Sequence, residues 1–122
     1  YIQAKTLPKK SEIKDERYKH IIETGKLTCD WGPSMVQLNN DSSCNLSCPQ
    51  CRTKKELLVN GPEFDARKKV FEKSITPELL KQASFLNITG SGDPFASKLY
   101  RDFLTSFDGS QYPNLKINLF TN

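Results

Sequence analysis

Cys44-Asn-Leu-Ser-Cys48-Pro-Gln-Cys51 sets three thiols at the spacing C-x3-C-x2-C. Pro49 and the polar Asn45, Ser47 and Gln50 oppose a regular helix, so the stretch reads as a loop able to wrap around a ligand. Thiolates are soft, strong metal ligands. A cubane iron–sulfur cluster ordinarily takes four of them, so three from one loop would leave one iron open to a small molecule. The same thiols joined by Cys29 or His20 would close a tetrahedral zinc site. An even number of cysteines also permits disulfides, and free buried thiols are the plainest reading. On spacing alone, iron–sulfur and zinc stand level.

A second group of residues lies downstream. Gly90-Ser91-Gly92-Asp93-Pro94 follows a strand-like run and precedes a helix, where parallel α/β folds place ligands. Glycines let backbone amides and carbonyls approach a ligand, and Asp93 adds an acceptor for a cationic amine. A plain turn explains Gly-x-Gly alone; its place after the cysteine loop strengthens the functional reading.

The elements that must position these residues follow from pattern. Residues 1–10 are a polar arm. Ser11 is placed to cap a helix carrying Ile13, Tyr18, Ile21 and Ile22 as a narrow apolar stripe, with Gly25 past its end. Cys29 to Pro33 is a turn, in which Cys29 reads as a small buried residue. A first strand is expected over 34–39, then the cysteine loop, then a basic stretch from Arg52 to Gly61 in which Lys54 and Lys55 are free to meet solvent or an anion. Glu63 to Glu72 reads as a short helix, and Thr76-Pro77-Glu78 opens another, running to Ser84. A second strand spans 85–89, and a helix capped by Ser97 carries Tyr100, Phe103, Leu104 and Phe107, closed by Gly109. A third strand spans 115–120.

Strand, helix, strand, helix, strand is the order of parallel βα units. Val36, Leu38, Leu86, Ile88, Leu115, Ile117 and Leu119 form one alternating apolar face. Gln37, Asn39, Asn87, Thr89 and Asn118 form a polar one. Parallel sheets buried on both sides are normally apolar throughout, so the polar face points to a cavity for a polar ligand, with a one-sided sheet facing water as the alternative.

The bulk figures set limits. A chain of 122 residues is one small domain by length, about half of a complete α/β barrel. The charge of +4 is spread along the sequence, with no basic stripe interleaved with aromatics, so nucleic-acid binding has only charge behind it. No apolar run is long enough to span a membrane, and no secretion-type segment opens the chain. Clustered cysteines then favour a reducing, cytoplasmic setting.

At Cys44, Cys48 and Cys51 the chain resembles the radical S-adenosylmethionine (SAM) superfamily, and Cys-Asn-Leu-Ser-Cys-Pro-Gln-Cys-Arg resembles its peptide-modifying, SPASM-type branch. Gly90-Ser-Gly-Asp-Pro94 resembles the family's Gly-Gly-Glu-Pro element, with Ser91 for a glycine and Asp93 for the glutamate. Thr121-Asn122 resembles a Thr-Asn-Gly strand ending. Gln50 stands where the family usually carries an aromatic residue near the adenine. The resemblance covers about residues 33 to 122. It implies the first three βα units of a partial (βα)6 TIM-like barrel over 33–122, incomplete in this chain, after an arm, helix and turn over 1–32. It implies a [4Fe-4S] cluster on Cys44, Cys48 and Cys51, and SAM contacted by Gln50, Gly90, Ser91, Gly92, Asp93, Thr121 and Asn122. Reductive cleavage of SAM would then start radical chemistry on an unidentified substrate, with a peptide the class this branch suggests. The electron would come from a donor such as flavodoxin or ferredoxin. The chain reads as a fragment, inactive alone, whose open sheet edge invites self-association. The rival reading is a zinc-stabilised binding module built on the same cysteines.

Overall fold

The computed structural model describes residues 9–88 and 92–122. Thr89 of the expected second strand, and Gly90 and Ser91 of the glycine-rich group, lie outside the described residues. The chain divides into two compact units, Tyr1–Trp31 and Gly32–Asn122.

In the first unit, Lys10–Glu12 is a single 3-10 turn and helix α1 spans Glu16–Thr24. Asp15, not Ser11, caps α1, its carboxylate accepting from the Arg17 amide. Ser11 sits inside the 3-10 turn and has no free helix end to serve. Gly25 closes the helix at φ +63°, in the left-handed region that glycine enters without a Cβ penalty. The His20 and Trp31 rings meet edge-on at 5.5 Å. Cys29 is exposed, against the expectation of a small buried residue.

The second unit is α/β. Strands β1 (Met35–Leu38), β2 (Phe85–Ile88) and β3 (Lys116–Leu119) form a parallel sheet in the order β1-β2-β3. Gln37 pairs with Asn87 and Asn87 with Asn118 in register. Between β1 and β2 run helices α2 (Pro62–Ser74) and α3 (Pro77–Gln82); between β2 and β3 runs α4 (Lys98–Ser106). Thr76 and Ser97 cap α3 and α4 through the amides of Leu79 and Tyr100. Gly109 does not close α4. It opens a 3-10 turn, Gly109–Gln111, that Asp108 caps.

One apolar core lies on one side of the sheet. Leu38, Leu86 and Ile88 from the strands pack with Phe64 and Phe71 of α2, Leu80 of α3, and Leu99 and Tyr100 of α4. Phe71 meets Tyr100 and Phe103 edge-on, a geometry that favours aromatic pairs beyond the area they bury. The opposite face is polar as its alternation dictates, and its amides form a row across the strands. Asn118 donates to Asn87 at 2.8 Å, and Asn87 donates to Gln37 at 3.3 Å. In-register pairing alone brings these three amides side by side.

Candidate functional site

The C-terminal ends of the strands converge through two buried carboxylates. Asp41, three residues past β1, has a side chain only 1% exposed. Its Oδ1 accepts from the Ser43 amide (2.9 Å) and the Ser43 hydroxyl (2.8 Å), and its Oδ2 accepts from the Ser97 hydroxyl at 2.6 Å. The Arg67 guanidinium stands 3.5 Å from Oδ1. The Tyr100 hydroxyl accepts from the amides of Asn40 and Asp41. Helix α4 therefore holds the chain where it leaves β1, directly before the cysteines. Burial raises the Tyr100 phenol above its ordinary value, against the two amides it accepts from, so the ring stays neutral.

The cysteine loop is closed at its base. The Cys44 amide donates to the Glu56 carbonyl at 2.7 Å, an isolated antiparallel bridge. The Leu58 amide donates to Ser43 Oγ at 2.9 Å. Within the loop, the amides of Cys51 and Arg52 both donate to the Cys48 carbonyl, so Pro49 and Gln50 form the tip of a tight turn. Gln50 is exposed there. Arg52 folds back, donating to the Ser42 carbonyl at 2.6 Å and to Cys51 Sγ at 3.6 Å. Lys54 and Lys55 line an open polar cleft of about 310 Å³ with Arg67, but Glu56 and Glu63 share it and offset most of the charge.

Cys44 is buried, while Cys48 and Cys51 are exposed, and all are free thiols. Among the described residues, no three His, Cys, Asp or Glu side chains are gathered closely enough to hold a metal ion. The donor set nevertheless fits a soft metal or cluster in its chemistry: three thiols on one loop, with N–H groups already aimed at two of the sulfurs. Cys44 Sγ accepts from the Leu46 amide and from Asn122 Nδ2, each at 3.5 Å. Occupation would require the three thiols to draw together.

The second group meets the first through Gly92. A Cβ there would lie 2.6 Å from the Ser43 carbonyl oxygen and 2.9 Å from that of Asp41, so only glycine fits against this backbone. The next amide, of Asp93, donates to the Ser43 carbonyl at 2.8 Å. Asp93 is buried, and its carboxylate faces protein donors rather than open space. Oδ1 accepts from the amides of Phe95 (2.8 Å) and Ala96 (2.9 Å). Oδ2 accepts from Thr121 Oγ1 (2.5 Å) and the Asn122 amide (3.0 Å).

Burial acts to raise the Asp93 carboxyl, but hydrogen bonds from Thr121, Asn122, Ala96 and Phe95 outweigh it and hold the group below the ordinary carboxylate range. A depressed folded value means stability that is present above the unfolded value, about 3.9, and lost as pH falls through the folded one. The urea midpoint of wild type should therefore exceed that of Asp93→Asn by a constant margin from neutrality down to about pH 5. The margin should shrink below about pH 4. A margin that grows on acidification would contradict this.

No known protein family, curated protein or solved structure matches the chain. Among the described residues, no helix is long and apolar enough to cross a membrane. The structure thus brings Cys44, Gly92, Asp93, Thr121 and Asn122 to one end of the sheet and leaves Cys48, Gln50 and Cys51 on the exposed part of the loop. Asp41, Tyr100 and Arg52 were not expected as site residues. Their partners lie up to 60 positions away, and no local pattern marks them.

Proposed function

We propose that the chain is part of a radical-SAM iron–sulfur enzyme, in which Cys44, Cys48 and Cys51 hold a [4Fe-4S] cluster. The observation that carries the reading is the convergence, at one end of a parallel sheet, of the three-thiol loop and the Gly92-Asp93 turn. That is where parallel α/β folds bind ligands. The sequential strand order β1-β2-β3, with a polar face opposite the core, supports three units of a partial (βα)6 barrel. Held by Cys44, Cys48 and Cys51, such a cluster would supply the electron for cleavage of SAM, the start of radical chemistry on the substrate.

This chain's own residues supply position. Asp41, Ser43 and the Cys44–Glu56 bridge fix the base of the loop. Arg52 and Asn122 direct N–H groups at sulfur, which favours the electron-rich form of a thiolate-bound cluster. Gly90, Ser91, Gly92 and Asp93 would receive the amino end of SAM, and Gln50, Thr121 and Asn122 would stand beside the remainder. A small redox protein such as flavodoxin or ferredoxin delivers the electron to the exposed loop. The metal itself tests the reading. Anaerobic reconstitution should yield iron and acid-labile sulfide in equal amounts, with broad visible absorption. Stoichiometric zinc that disappears in Cys29→Ser would replace this reading with the zinc-stabilised module.

A further inference from the structure

A carboxylate offers about four lone-pair sites, and at Asp93 four protein donors occupy them. It can accept a ligand's ammonium only by giving up one of these bonds. We infer that Asp93 is a positioning residue. Its carboxylate latches the turn after β2 to the end of β3 and so seats the Asn122 carboxamide on the Cys44 sulfur.

The path is continuous. Oδ1 holds the Phe95 and Ala96 amides and fixes the turn into α4. The Asp93 amide and Gly92 seat that turn on the Asp41–Ser43 backbone. Oδ2 then grips Thr121 and the Asn122 amide. With its backbone held there, Asn122 Nδ2 reaches Asn45 Oδ1 at 3.1 Å and Cys44 Sγ at 3.5 Å. Three strand ends and the buried thiol are joined through one acid. The latch itself does not depend on the iron–sulfur reading, and it is tested on the protein without metal or SAM.

Two readouts are needed: the folding equilibrium from urea denaturation, and the side-chain NH2 signal of Asn122 by 15N NMR. Asp93→Asn should shift the equilibrium about 5- to 30-fold towards the unfolded state. It should also move the Asn122 signal towards the position of a free carboxamide, whereas Cys44→Ala, which leaves the bond to Asn45 Oδ1, should move it only part of the way. Leu86→Ala, which removes a fully buried core side chain, is the control. It should destabilise at least as much and leave the Asn122 signal in place. If Asp93→Asn does not fold, Thr121→Val removes one of the four bonds and should shift the equilibrium about fivefold, with a partial move of the same signal. The inference is overturned if the variant leaves both readouts at wild-type values, the result expected of a carboxylate that serves only a ligand. It is equally overturned if stability falls while the Asn122 signal stays put.

Discussion

Serine in place of Cys44, Cys48 or Cys51 should abolish the visible iron–sulfur absorption formed on anaerobic reconstitution, and serine in place of Cys29 should leave it intact. Each loop variant keeps only two thiolates, too few to retain a cubane against excess chelator. The three should fail for the same reason despite different surroundings: Cys44 is buried under Asn122, whereas Cys48 and Cys51 are exposed. Cys29 belongs to the other compact unit and precedes β1, so the strand separates it in sequence from the loop. The expected loss is essentially complete in three variants and negligible in the fourth. Graded losses across all four would mean that the thiols do not act as the proposed set.

Asp41→Ala should cost about 3 kcal/mol of stability, the largest effect expected of any single polar side chain in the second unit. The substitution leaves the buried Ser43 amide and Ser97 hydroxyl without their acceptor, and each such orphaned group costs about 1–3 kcal/mol. Arg67 adds little, because its side chain is a third exposed and its charge can turn to water. Asp41 and Ser97 share one bond, so Asp41→Ala/Ser97→Ala should lose less than the sum of the single variants. Urea midpoints of the four proteins give this cycle directly. A loss below about 1 kcal/mol for Asp41→Ala would mean that water replaces the missing acceptor and that the carboxylate does not organise the loop base.

Much of the scaffold was legible because its determinants are local. The alternation in Met35–Leu38, Phe85–Ile88 and Lys116–Leu119 gives both the strands and their faces, and Thr76, Ser97 and Gly25 mark helix ends by their own chemistry. Ser11 misled because Asp15, four residues on, caps better from an extended backbone. Gly109 misled because a glycine after a helix also suits the start of a new turn. The site was legible in composition but not in orientation. An acid after a glycine announces an acceptor, yet the donors at Asp93 come from Thr121 and Asn122, 28 and 29 residues away. Likewise Tyr100 falls on the expected apolar stripe of its helix, and only the fold reveals that its hydroxyl holds Asn40 and Asp41.

The central claim is that one loop holds a cluster with an iron left open to SAM. Mössbauer spectroscopy of protein reconstituted with 57Fe, recorded before and after SAM is added, tests it most directly. The account predicts a cubane spectrum in which one iron subsite separates from the others on adding SAM, unchanged by Cys29→Ser. Mononuclear iron, or a cubane whose irons are all indifferent to SAM, would contradict it.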